Sequence, residues 1–297
     1  MSATTADAGR SGRRRSRGAV ESSTSARAWG KTALLAVIFL WCLFPFFWLI
    51  MTSFKVQGAL NSPNLFEGPF GLANYRNVFN QDFHLNLRNS LAIATMTTIL
   101  CVVIGSLAAY AIARLPLKRK ILLLTGVLAV SLFPPVALVP PLYELWRTLG
   151  LLNTYEGLYI PYTSFTLPLT IFILTTFFAA IPKELEEAAK MDGASPFKTF
   201  YRVILPLAAP GVFAAAIIIF VSAWNEFLLA NTFAPRDPEV AQTVPVAISL
   251  FTGAVDFQRP IGSITAACVV VTIPMIIVAL AFQKRIIAGL TAGSLKG

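Results

Sequence analysis

The acids Glu184, Glu186, Glu187 and Asp192 gather around the pair Ala188-Ala189 and end at Gly193. Acids at such density could serve general acid–base chemistry or hold a metal, and both tasks need partners at fixed spacing. The single histidine, His84, and the cysteines Cys42, Cys101 and Cys268 are scattered, so no ligand set forms with or without the acids. Gly30-Lys31-Thr32 looks like the end of a phosphate-binding loop, but the earlier glycine that such a loop requires is replaced by Ser25. The trio also runs straight into an apolar stretch, with no strand before it. Neither catalysis nor phosphate binding is written into these residues.

What they can build is a surface. Pro182 suits a first helical turn, and Glu184, Glu186 and Glu187 suit its positive end. Leu185, Ala188 and Ala189 share one helical face, and Gly193 offers the left-handed turn that ends a helix. A second helix can start at Pro196, with Phe197, Phe200, Tyr201 and Ile204 at the helical period. Residues 182–206 therefore read as two short helices meeting at an angle. Alanine-rich and acidic faces suit a groove on another protein better than anionic lipid. The plain alternative is a loop that merely joins two longer helices.

The elements that carry this corner belong in a membrane. The chain has 297 residues, 56% hydrophobic and 13% charged, where soluble domains carry about 25% charged residues. Six stretches hold no charge at all: 32–54, 89–113, 121–143, 157–182, 203–225 and 260–283. A bilayer core of about 30 Å is crossed by roughly 20 helical residues, so each stretch is long enough. The fold class is all-α, a polytopic membrane protein with six transmembrane helices. Pro45, Pro134, Pro135, Pro140, Pro141, Pro161, Pro168, Pro210 and Pro274 lie within or near the spans. Such prolines fit helices around a cavity that changes shape, and they also occur in ordinary kinked bundles. Gly105, Ala109 and Ala113, four residues apart, mark a close-packing face.

A net charge of +10 would suit nucleic acid, but its distribution points elsewhere. Segments 1–31, 114–120, 183–202 and 284–297 hold 18 of the 24 lysines and arginines. That asymmetry places those segments, both termini and the corner in the cytoplasm, with no role for nucleic acid. Residues 1–30, with Arg13, Arg14, Arg15 and Arg17, read as a basic, disordered cytoplasmic tail. They do not read as a cleaved signal, because the apolar run that follows is too long and lacks a small-residue cleavage site. Residues 31–285 form the six-helix domain, and 286–297 a cytoplasmic tail. The cysteines are expected as small buried hydrophobes. Outer segments 55–88 and 232–259 are too short for a separate binding domain.

Glu187-Ala188-Ala189, Asp192-Gly193-Ala194, Phe197, Phe200 and Ile204-Leu205-Pro206 resemble the EAA signature of ABC importer permeases. Asn74-Tyr75, Pro141-Leu142-Tyr143, the run from Leu149 to Thr154, Trp224-Asn225-Glu226-Phe227 and the ending Gly289 to Gly297 are similar to carbohydrate permeases of the MalG type. The likeness extends from about residue 30 to the end. It implies the type I ABC importer permease fold, with the first corner helix as a cytoplasmic coupling helix seated in an ATPase cleft. Glu187, Ala188, Ala189, Asp192, Gly193, Phe197, Phe200 and Pro206 are the implied coupling residues. Thr291, Gly293, Lys296 and Gly297 are implied ATPase contacts at the other end of the chain. The resemblance further implies a second homologous permease, a dimer of ATPases holding ATP and Mg, and an extracytoplasmic solute-binding protein. The setting would be a bacterial or archaeal cytoplasmic membrane. This chain would bind no cofactor and no metal, and would catalyse nothing itself. The Arg-rich tail departs from the family's short start and has no assigned role.

The fifth span continues past Glu226 to about residue 231, so Glu226 is the one charge within a span, and such residues are functional candidates by default. Trp224, Asn225, Glu226 and Phe227 either line a sugar pathway or fix the outer gate or the partner permease through hydrogen bonds. In the first case the indole would lie against a sugar ring. The cargo implied by the resemblance is a mono- to oligosaccharide, a disaccharide such as trehalose or maltose within that class. A non-sugar such as a glycerophosphodiester would use the same architecture. A polytopic enzyme acting on a lipid-linked substrate would need a pair of acids, or an acid and a histidine, near the membrane surface, and Asp82, Glu144, Glu156, Asp237, Glu239 and Asp256 show no pairing motif.

Overall fold

A computed structural model describes the backbone of residues 8–294 except 61–63, 65, 235–236 and 252–259, and side chains within 29–282 except at these positions and Gln57. The described residues form helices, with one isolated bridge between Lys55 and Phe70. In chain order come α1 (Ala8–Phe54), the short α2 (Ala73–Phe79), α3 (Phe83–Arg114), α4 (Lys120–Ser131), α5 (Pro135–Leu149) and α6 (Glu156–Ala180). The corner follows as α7 (Glu184–Met191), α8 (Pro196–Thr199), a π-helical turn Phe200–Ile204 and α9 (Leu205–Leu207). α10 (Ala209–Trp224), the short α11 (Leu228–Phe233) and α12 (Val244–Ser249), and α13 (Ile261–Ser294) complete the chain.

Among the described residues four helical stretches are long and apolar enough to cross a membrane unaided: Trp29–Phe54, Phe83–Arg114, Glu156–Ala180 and Ile261–Phe282. The crossings number six if each of two bent pairs counts as one. The first pair is α4 with α5, bent by 77°. The break falls where Phe133 and Pro134 each precede a proline, a position that disfavours helical backbone. α5 then runs beyond the charge-free stretch and takes in Glu144 and Arg147, which pair at 3.1 Å on an exposed face. The second pair joins Pro196–Leu207 to α10 across a 78° bend. The charge-free stretch at 203–225 is thus a bent element rather than a single rod.

α3 packs along α6 and α10, and this trio is the centre of the bundle. The close-packing face predicted on α3 is turned to α6: a Cβ at Gly105 would come within 2.7 Å of the Thr170 methyl. Ala109 and Ala113 are buried on the same side. Gly211 of α10 sits so near the Phe177 ring that a Cβ would meet it at 2.2 Å. α1 and α13 pair at the periphery, and the apolar length of α1 exposes Leu35, Trp41 and Phe44 as a lipid-facing helix must. Cys42 is exposed on that surface, Cys101 is buried, and Cys268 is half-buried; all three are free thiols. Helical backbone extends back to Ala8, into the segment read from sequence as a disordered tail. Continuing an existing helix needs no new nucleus, which favours such extension even without an apolar pattern.

The short α2 explains Asn74-Tyr75. Buried Asn74 donates to the Ser53 and Lys55 carbonyls at 2.9 and 2.8 Å, and the Tyr75 hydroxyl meets Ser53 Oγ at 2.7 Å. Gly262 of α13 leaves room for it, since a Cβ there would lie 2.5 Å from Asn74. These residues tie the end of α1 to α13.

Candidate functional site

At one end of the bundle α6 stops at Ala180, and α7 starts after a short extended link. α7 ends in a Schellman motif: the Ala194 amide donates to the Ala189 carbonyl at 2.9 Å and the Gly193 amide to Lys190 at 3.0 Å. Gly193 has φ +76°, the left-handed conformation this motif needs, and among the described residues no atom beyond its chain neighbours lies within 4 Å of where its Cβ would stand. Ser195 then caps α8 by accepting from the Lys198 amide at 3.3 Å, and Pro196 fills the first turn. Local sequence therefore dictates two short helices with an open joint between them.

The predicted coupling residues divide by side. Glu187, Ala188, Asp192, Gly193, Phe197 and Pro206 are exposed, Ala189 is half-buried, and Phe200 is buried. Met191 is 88% exposed and Phe197 70%, with Leu185 and Tyr201 also open. Phe197, Tyr201, Arg202 and Pro206 edge a cavity of about 870 Å³ that continues along Val103 and Leu107 of α3. An exposed apolar ridge rimmed by acids is the composition of a protein–protein surface. The second corner helix splits its four apolar residues: Phe200 and Ile204 turn inward, Phe197 and Tyr201 outward.

Beneath this surface lies a second layer. Glu186 is 7% exposed and forms an ion pair with Arg114, at the end of α3. Tyr110 donates to the same carboxylate at 3.3 Å, and Arg114 also donates to the Ile181 carbonyl at 2.9 Å. The rings of Tyr110, Phe178 and Phe200 pack together with centroids 4.9 to 6.1 Å apart.

At the opposite end, α10 stops at Trp224 and a short break leads into α11. Trp224 is 2% exposed and stacks on Phe220, centroids 5.8 Å apart, so its indole faces the core. The Asn225 amide group donates back to the Val221 carbonyl at 2.8 Å. The Glu226 carboxylate accepts from the Leu229 amide at 2.8 Å and the Ala230 amide at 3.1 Å, holding the positive end of α11. Among the described residues the buried Tyr162 hydroxyl has no hydrogen-bond partner. Asn225 and Phe227 are exposed, and Glu226 partly so.

Residues 101–291, which include both regions, match the profile of the family described as binding-protein-dependent transport system inner membrane component. The chain belongs to that family. This permease is 45% identical over 258 residues to the trehalose transport system permease protein SugB of Mycobacterium tuberculosis, covering 86% of this chain and 93% of that one. It is 45% identical over 267 residues to the trehalose/maltose transport system permease protein MalG of Thermococcus litoralis, covering 89% and 94%. Its fold is similar to a chain of a bacterial ABC transporter involved in the import of the acidic polysaccharide alginate. The TM-score is 0.70 at 23% identity, with 88% of this chain and 97% of that chain covered. The permease is thus a multi-pass, non-catalytic subunit of an ABC importer, and the ATPase is a separate partner.

Within the permease, Thr291 and Gly293 lie in the last turns of α13, where backbone alone is described, and Lys296 and Gly297 fall outside the described residues. Gly30-Lys31-Thr32 sits inside α1, consistent with a chance likeness to a phosphate loop. Among the described residues no group of three or more potential metal ligands exists. Sequence reasoning picked Glu187 and passed over Glu186, Arg114 and Tyr110. Their signal was faint: one acid among several and one arginine at the end of a span.

Proposed function

We propose that this permease imports a sugar, a mono- to oligosaccharide and foremost a disaccharide of the trehalose or maltose kind. It does so as half of a translocation pathway completed by a second homologous permease. A dimer of ATPases holding ATP and Mg drives the cycle, and an extracytoplasmic binding protein delivers the cargo. Both termini and the α7–α8 corner face the cytoplasm, as the excess of lysine and arginine in those segments supports. Residues 1–30 and 286–297 are cytoplasmic tails flanking the span-bearing domain 31–285, and Thr291, Gly293, Lys296 and Gly297 reach the ATPases.

One observation carries the coupling role. The corner turns Glu187, Ala188, Asp192 and Phe197 outward on two short helices with an open glycine joint between them, ready for a cleft on another protein. Opening and closing of that cleft on ATP would move α7 and, through it, the bundle. Two relatives at 45% identity named for trehalose or trehalose/maltose transport support the cargo class. At the far end, Asn225, Glu226 and Phe227 edge the sugar path, while Trp224 holds the break between α10 and α11.

The test is a complex of this permease, its partner permease, the ATPases and the binding protein in proteoliposomes. Trehalose-loaded binding protein should raise ATP hydrolysis and drive trehalose uptake. Hydrolysis and uptake indifferent to trehalose and to maltose would reject the disaccharide reading.

A further inference from the structure

Arg114 closes α3 and reaches two other elements at once. Its guanidinium pairs with Glu186 on the underside of α7 and donates to the Ile181 carbonyl, at the negative end of α6. Tyr110, one turn earlier on α3, donates to the second oxygen of Glu186 and packs between Phe178 of α6 and Phe200 of the π-helical turn. Both charged side chains are nearly buried, at 9% and 10% exposure. Taking an ion pair out of water adds little stability and is often no better than apolar packing. A directional tie is what it offers instead, since the planar guanidinium fixes two acceptors in one geometry.

The opposite end of α7 is built in the contrary way. Among the described residues nothing beyond the chain neighbours packs within 4 Å of the Cβ position of Gly193, and Ser195 two residues on caps α8. α7 is therefore tied at its first turn to α3 through charged and polar side chains, whereas its last turn meets α8 through backbone hydrogen bonds around an open glycine joint.

We propose that Arg114 and Glu186 are positioning residues forming a latch, through which displacement of α7 by the ATPase passes to α3 and α6 rather than being spent at the Gly193 joint. Tyr110 sets the rotamer of Glu186 and keeps the latch in register. The proposal rests on α7 being the ATPase-coupling helix.

The experiment uses the full complex in proteoliposomes with trehalose as probe. It compares Glu186→Gln and the paired replacement Arg114→Met with Glu186→Met, which leaves no uncompensated buried charge. The expected result is a complex that assembles and hydrolyses ATP, with trehalose imported per ATP reduced about five- to tenfold, the lower range of coupling between two sites. Hydrolysis without binding protein should rise at the same time. Tyr110→Phe should show the same change in smaller degree. An unaltered ratio of transport to hydrolysis in the paired variant overturns the latch. So does loss of assembly in it, which would make the pair a determinant of folding or docking. If the wild-type complex ignores trehalose, the cargo reading fails, and hydrolysis without binding protein still decides the latch: unchanged rates in the variants refute it, raised rates support it.

Discussion

The two ends of the bundle handle their motif residues in opposite ways. At the α7–α8 corner, Glu187, Ala188, Asp192, Gly193, Phe197 and Pro206 of the family signature point outward, and the fold is held beneath by the signature residue Phe200 and the unmarked Glu186, Arg114 and Tyr110. At the far break, Trp224 points inward, Asn225 bonds its own helix, and Glu226 caps the next. A motif rich in polar and aromatic residues is thus an exposed surface in one place and a built-in helix break in the other. Burial separates the two cases, since residue type does not.

The contrast can be broken by truncation. Trp224→Ala empties a core position and should cost about 3–5 kcal/mol of stability, read as a lower Tm of the purified permease. Phe197→Ala removes an exposed ring and should leave stability within about 0.5 kcal/mol. It should nevertheless weaken ATPase association by about 2 kcal/mol, roughly thirtyfold in Kd, measured by titrating the ATPase onto detergent-solubilised permease. Equal losses of Tm in the two variants would erase the distinction.

Smaller changes sharpen it. Glu226→Ala strips two backbone amides of their acceptor and should cost about 1 kcal/mol, as loss of a helix cap does. Glu226→Gln keeps one acceptor oxygen and should cost less, while impairing uptake with assembly intact. Uptake and KM unchanged in that variant would leave Glu226 a cap alone. Gly193→Ala should cost about 1 kcal/mol from the left-handed backbone, with no steric collision in that open space. Gly193→Val adds side-chain stiffness to the same strain and should lower transport per ATP further, whereas full docking and transport in it would remove the joint from the coupling path. Gly193→Asn, which tolerates this conformation, should behave almost as wild type, and a large defect there would point to a contact rather than to the backbone.

The crossings were legible because a single stretch in lipid can satisfy its own backbone only as a helix, so length without charge suffices to find them. The corner was legible too, since Gly193 and Pro196 are local punctuation whose partners lie within a few residues, although Pro182, expected in the first turn, stands just before α7. The bends were not. Pro134-Pro135 breaks a span, whereas Pro140-Pro141 lies inside α5 and Pro161 and Pro168 inside α6. Proline alone does not tell a break from a tolerated kink. Nor could the sequence show that Trp224 turns inward or that Arg114 meets Glu186, because such pairings depend on how α3, α6 and α10 pack. Gly105 gave the best hint of that packing, and it identified the face correctly without naming Thr170 as the neighbour.

The docking assignment is tested most directly by a photo-crosslinking amino acid placed at Met191, the 88% exposed residue at the end of α7. In the assembled complex it should form its main product with the ATPase subunit, and the same probe at Asn225 should form none. Crosslinks from Met191 to lipid or to the extracytoplasmic binding protein, with no ATPase adduct, would contradict the account.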